Sequence, residues 1–266
     1  LSEVVVRSTD TVETLKEKVR LATILGTIQS TYTNFPYLRK VWTTNTEAER
    51  LLGVSLTGIM DNQILNGRSA QYGKNIGKIL EQLKEVAIET NKEWADKFGI
   101  SASTAITCIK PSGTVSQLVD SASGIHPRHS DYYIRTVRGD NKDPLTQFMI
   151  KSGIPYEPDV MKPDSTTVFS FPQKAPVGAV TRDHLTAIQQ LELWLTYQRH
   201  WCEHKPSITV NVRDSEWIEV GAWVYKHFDE ISGISFLPFS DHTYAQAPYQ
   251  DCNKETYDYF KRIMPE

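Results

Sequence analysis

Short β-branched apolar runs alternate with amphipathic helical patterns of about 15 residues, and this alternation constrains the fold more than any other feature of the sequence. Val4 to Val6, Gly53 to Ile59, Ala105 to Ile109, Ser207 to Val212 and Ile234 to Leu237 read as strands. Between them Leu15, Val19 and Ala22, then Ile76, Ile79, Leu80 and Leu83, then Leu185, Ile188, Leu191 and Leu195, and finally Trp217, Val220, Val224 and Phe228 recur at helical spacing. Asp10 with Glu13 resembles a capping box for the first helix, Gly99 closes the second, Thr181 opens the third and Asp214 caps the fourth. Crossovers of this length are what parallel pairing requires, so the pattern predicts an α/β architecture with parallel strands. The stretch from Gly124 to Pro172 departs from it, being rich in Pro, Asp and His, with one helix near 144–152 and one strand at 166–171. It reads as loops, an insertion spanning 120–172 within a single domain of residues 1–266.

Twenty-nine Lys and Arg against 32 Asp and Glu leave a formal charge of -3, and no block of five like charges occurs. That argues against direct nucleic-acid binding and against a membrane-surface patch. No apolar run approaches the roughly 18 residues that span a bilayer, and no basic-then-apolar signal segment opens the sequence, so the chain reads as cytoplasmic. Three widely spaced cysteines, Cys108, Cys202 and Cys252, fit a reducing compartment and provide no paired zinc-type motif, so no metal is expected. The sequence opens on Leu1 without an initiator Met and runs straight into a strand pattern. The expectation is that residue 1 lies inside a longer polypeptide.

The sharpest local feature is Thr107-Cys108-Ile109-Lys110-Pro111-Ser112-Gly113-Thr114-Val115-Ser116. A strand entering a glycine-containing turn and then a helix presents open backbone N–H groups at a positive dipole end, which is how a phosphate is held with little net charge. A Ser or Thr N-cap following a strand gives the same pattern. It is not a Walker loop, and no GxGxxG occurs. His126-Pro127-Arg128-His129 and Trp201-Cys202-Glu203-His204-Lys205-Pro206 are also dense in chemical groups. The second reads either as a nucleophilic Cys-His pair or as a helix exit whose polar groups bond to backbone or solvent. Ser240 to Tyr249, after the last apolar strand, reads as a loop over a ligand pocket, and Cys252 as an inert loop cysteine.

Six ordered segments carry a family resemblance. They are Leu1-Ser2-Glu3-Val4-Val5, Arg50 to Gly58, Pro111 to Gln117, Tyr132 to Arg138, Trp201 to Ser207, and Ser235 to Pro238 with Tyr244 to Tyr249. Together they resemble the carboxyl part of the catalytic chain of ribonucleotide reductases, most closely the compact adenosylcobalamin-dependent class. The resemblance implies the second half of a ten-stranded α/β barrel, in which two five-stranded parallel halves run antiparallel around a finger loop. It implies reduction of a ribonucleoside di- or triphosphate at the 2' carbon by thiyl-radical chemistry, with adenosylcobalamin as radical source and a thioredoxin-like reductant. The N-terminal remainder of the catalytic chain would be a partner. By the same resemblance the radical cysteine, its neighbouring Glu and Asn, and the reducing pair fall before the segment matching Leu1, so no catalytic role passes to Cys108, Cys202 or Cys252. The chain by itself is therefore expected to be inactive. What passes over is substrate binding: Pro111, Ser112, Gly113, Thr114, Val115 and Ser116 match the loop that receives the phosphates, while Leu1 and Ser2 would lie beside the sugar and base. The DxHxxG signature of proteins that ligate cobalt through histidine is absent, in keeping with this family's different mode of holding the cofactor. Two alternatives share the pattern: a reductase served by a separate metal-containing radical subunit, and a non-catalytic structural half that complements a separate chain.

Overall fold

The computed structural model describes residues 1–239 and 244–265. In chain order its elements are β1 (Ser2–Val5), α1 (Val12–Gln29), α2 (Lys40–Glu49), β2 (Val54–Thr57), α3 (Ile76–Phe98), β3 (Thr107–Cys108), α4 (Val115–Leu118), β4 (Tyr132–Asp140), α5 (Pro144–Lys151), β5 (Tyr156–Pro158), β6 (Thr166–Lys174), α6 (Ala187–His200), β7 (Ile208–Val212), α7 (Trp217–Lys226), β8 (Ile234–Pro238), β9 (Tyr249–Asp251) and α8 (Lys254–Ile263). They fall into two compact units. The first comprises Leu1–Pro127, Val177–Val180 and His184–Pro238, and the second Arg128–Pro176, Thr181–Asp183 and Phe239–Glu266. Among the described residues no helix is long and apolar enough to cross a membrane.

The first unit holds the parallel strands that the alternation predicts. β1, β2 and β3 form one parallel sheet in that order, with Ser2 opposite Val54 and Val54 opposite Thr107, and β7 pairs in parallel with β8. All four β2 residues are buried, as expected of a parallel strand covered on both faces. Leu15 and Val19 of α1, Leu80 and Leu83 of α3, Trp194 and Leu195 of α6 and Val220 of α7 share one core with Val4, Val54, Leu56 and Val210. Each fully buried Leu or Val contributes about 1.5 to 3 kcal/mol, so this core dominates the stability of the unit. The caps differ from the expected ones. Thr11, not Asp10, caps α1, in a reciprocal box with Thr14, while Asp10 instead accepts from the Arg7 N–H and pairs with Lys18. Thr186, not Thr181, opens α6, boxed with Gln189, because the periodic run is preceded by a single 3-10 turn at Arg182–His184. α2 has no buried residue, so no apolar stripe announces it in the sequence.

The second unit corrects the expectation of loops over 120–172. β4 and β6 form a nine-residue antiparallel ladder from Tyr132 opposite Lys174 to Asp140 opposite Thr166, and the sheet order is β5-β6-β4-β9. Only the helix, found at Pro144–Lys151, and the strand at Thr166 were expected. β4 escapes pattern reading because its outer half is polar: Arg138, Gly139 and Asp140 follow the buried Tyr133, Ile134 and Thr136. Ile234–Pro238 is not the last strand either, since β9 and α8 follow and both contact the ladder. Of the tail read as a loop over a pocket, Ser240 to Thr243 lie outside the described residues.

Candidate functional site

β3 ends at Cys108, and the chain turns through Pro111 to Thr114 into the four-residue helix α4. The turn is held by its own hydroxyls. Ser112 donates its N–H to Ser123 Oγ at 2.9 Å, its Oγ donates to Glu3 Oε2 at 3.0 Å, and the same Oγ accepts the Ser116 N–H at 2.9 Å. Ser116 Oγ donates to the Ser112 carbonyl. Ser112 and Ser116 are buried accordingly, whereas Pro111, Gly113, Thr114 and Val115 are exposed. Among the described residues nothing accepts the N–H groups of Gly113, Thr114 and Val115. A Cβ built on Gly113 would have no atom within 4 Å, so the space above this backbone is open. The turn therefore separates two jobs that the sequence joins: two serine hydroxyls fix its shape, and three consecutive amides remain free to meet an anion.

Register places Glu3, Ser55 and Cys108 side by side on one face of the first sheet. Ser55 Oγ accepts the Lys110 N–H at 3.1 Å, and the Lys110 ammonium donates to the Lys205 carbonyl at 3.0 Å and to Ser207 Oγ at 3.2 Å. Burial raises the Glu3 carboxyl above its ordinary value, and the Ser112 hydrogen bond offsets this only in part. Burial also pushes the Cys108 thiol up to about 11 and the Cys202 thiol further, with each keeping its proton at neutral pH. A cavity of about 480 Å³ is lined by Leu1, Leu51, Leu52, Gly53, Cys108, Lys110, His204 and Lys205. Leu1 crosses Gly53 so closely that a Cβ there would lie 2.2 Å from its Cδ2, so the missing side chain makes the contact. Ser2 lines a different cavity of about 350 Å³ with Gly26, Gln29 and Tyr32, where its buried hydroxyl has no partner. Leu1 lines this second cavity as well, so the two residues expected to share a site meet there. Glu3 is the group that sequence reasoning missed; its signal was a lone carboxylate inside a run of strand-forming residues.

The Trp201–Pro206 segment is a helix exit. Trp201 Nε1 donates to the Cys108 carbonyl at 2.8 Å, the Ile106 N–H donates to Glu203 Oε2 at 2.7 Å, and His204 Nε2 bonds the Leu52 carbonyl at 2.6 Å. Glu203 and His204 also donate their N–H groups to the Thr107 carbonyl. These groups stitch the exit of α6 to β3 and to the residue ahead of β2, with His204 Nε2 taken up by a backbone carbonyl.

No protein-family model matches the chain. An adenosylcobalamin-dependent ribonucleoside-triphosphate reductase from Lactobacillus delbrueckii subsp. bulgaricus is 27% identical over 237 residues, covering 80% of this chain and 32% of that protein. A protein of the same name from Euglena gracilis is 29% identical over 219 residues, covering 82% and 29%. This chain is similar to the adenosylcobalamin-dependent ribonucleotide reductases. The fold agrees: the crystal structure of a B-12 dependent, class II ribonucleotide reductase superposes with a TM-score of 0.82 at 23% identity, over 95% of this chain and 38% of that one. The class Id ribonucleotide reductase alpha subunit of Actinobacillus ureae gives a TM-score of 0.54 at 14% identity, over 87% and 46%. The chain spans about a third of the length of the curated reductases it matches.

Proposed function

We propose that this chain supplies the substrate-phosphate part of a ribonucleotide reductase, and the three open amides of Gly113, Thr114 and Val115 are the observation that carries the reading. Consecutive N–H groups at a helix start bind phosphate oxygens directly, and in a helix as short as α4 they matter more than the dipole behind them. The substrate class is a ribonucleoside di- or triphosphate, as the resemblance to reductases implies. Glu3, half-buried and accepting from the Ser112 hydroxyl, braces the turn from β1. The two parallel sheets of the first unit, of three and two strands, support reading it as one half of a barrel. Residues 1–266 would then be the C-terminal part of the catalytic domain, completed by an N-terminal remainder and served by a thioredoxin-like reductant.

Adenosylcobalamin is the cofactor named for the relatives, and it would supply the radical that starts the chemistry. Among the described residues no three metal-ligating side chains come together. The test is calorimetric titration of the 266-residue chain with a ribonucleoside triphosphate and with the matching nucleoside. Binding of the triphosphate, lost on removing its phosphates, supports the reading; equal affinity for both contradicts it.

A further inference from the structure

The phosphate turn is tied to the rest of the first unit by a relay that runs through a histidine. Ser123, whose Oγ accepts the Ser112 N–H, has its own carbonyl bonded to His126 Nδ1 at 2.9 Å. The other ring nitrogen, Nε2, accepts the Thr209 backbone N–H of β7 at 3.0 Å. An amide N–H can only donate, so Nε2 carries no proton, and the ring is the neutral tautomer with its hydrogen on Nδ1, donated to Ser123. The segment carrying Ser123 and His126 is fixed on its other side as well. The Ala122 N–H donates to Asp61 Oδ2, the Gly124 N–H to Thr57 Oγ1, and the Gly58 N–H to the Ala122 carbonyl. Gly124, at φ +54, lets this segment pass against the Lys110 carbonyl, where a Cβ would lie 2.6 Å away.

We propose that His126 is a positioning residue for the phosphate turn, acting through Ser123 and anchored on β7. The inference rests on the reading of residues 112–116 as a phosphate site. A neutral imidazole carries a donor on one side and an acceptor on the other, which is what joining the Ser123 carbonyl to the Thr209 N–H requires. His126 therefore sets where Ser112 begins the turn, and so where the amides of residues 113–115 point.

The experiment is amide hydrogen exchange of the 266-residue chain, read by NMR, in His126→Ala and His126→Gln, with titration of inorganic triphosphate alongside. The expected result is exchange at Ser112 faster by about tenfold in both variants, with the Leu80–Ala87 amides of α3 unchanged and the Thr209 amide kept slow only by Gln. The triphosphate dissociation constant should rise by a similar factor. Unchanged exchange at Ser112, or equal acceleration throughout α3, would overturn the proposal, the second by reducing His126 to general support of the fold. A wild-type chain that ignores triphosphate while the variants still loosen Ser112 would overturn the phosphate reading and leave the relay standing.

Discussion

The turn at residues 111–116 carries three hydroxyls and the helix exit at residues 201–206 a carboxylate, an imidazole, an ammonium and an indole, and the structure uses the two segments in opposite ways. At the helix exit the indole N–H, the Glu203 carboxylate and two backbone amides meet backbone groups of β3 or its flanks, and the His204 ring meets the Leu52 carbonyl ahead of β2. At the turn the two serine hydroxyls are engaged, with Glu3 and with the turn's own backbone, and three amides are left open. A segment rich in chemical groups is a site only when some of them remain unengaged, and counting partners decides this where composition cannot.

The widest separation between the two segments should appear with Trp201→Ala. It removes a fully buried ring and its bond to Cys108, and should cost about 3 to 5 kcal/mol in urea unfolding. Gly113→Val should do the reverse. With open space above Gly113 the chain should unfold at the same urea concentration, while triphosphate affinity falls by more than tenfold, roughly 2 kcal/mol. If Gly113→Val destabilises the fold instead, the two segments are alike and the comparison fails.

Ser112→Ala sharpens the contrast within the turn itself. Because this hydroxyl donates to Glu3 and accepts from Ser116, its loss should appear as about 1 to 2 kcal/mol of stability, with Glu3 titrating still higher, followed by carbon-13 NMR of the carboxyl. An effect on nucleotide binding alone would mean that the hydroxyl faces the ligand.

The strands of the first unit and their parallel pairing were legible, because short β-branched runs, continuous at Val4 to Val6 and alternating at Ile208 to Val212, are separated by helical patterns long enough for crossovers, but the order of the strands was not. β4 and β9 were not legible. Their stability comes from pairing with distant strands and from ring contacts such as His129 on Tyr249 and Arg135 over Tyr249, none of which leaves a local period. The caps of α1 and α6 were misassigned because several hydroxyl and carboxylate residues stand together and only geometry selects among them. At the site, the position of the turn was readable from Lys110-Pro111-Ser112-Gly113. The division of labour between its hydroxyls and its amides was not, since that depends on Glu3 and Ser123 approaching from elsewhere in the chain.

The smallest expected effect concerns pH. Burial lowers the His126 pKa below its ordinary value near 6.5. The unfolded chain therefore binds this proton first, so the histidine's contribution is complete above the unfolded pKa and is lost as pH falls through the lowered folded value. Urea midpoints measured between pH 8 and pH 5 should decline on the acidic side, and the decline should be shallower in His126→Gln. His129, also lowered by burial, adds to the wild-type slope and should persist in the variant.

The central claim is that the amides of Gly113, Thr114 and Val115 receive a substrate phosphate, and amide chemical shifts under titration with a ribonucleoside triphosphate test it most directly. The account predicts large, saturable shifts at those three N–H groups, with Ser112, already bonded to Ser123, moving little. Saturable binding whose shifts fall elsewhere and spare residues 113–115 would contradict it.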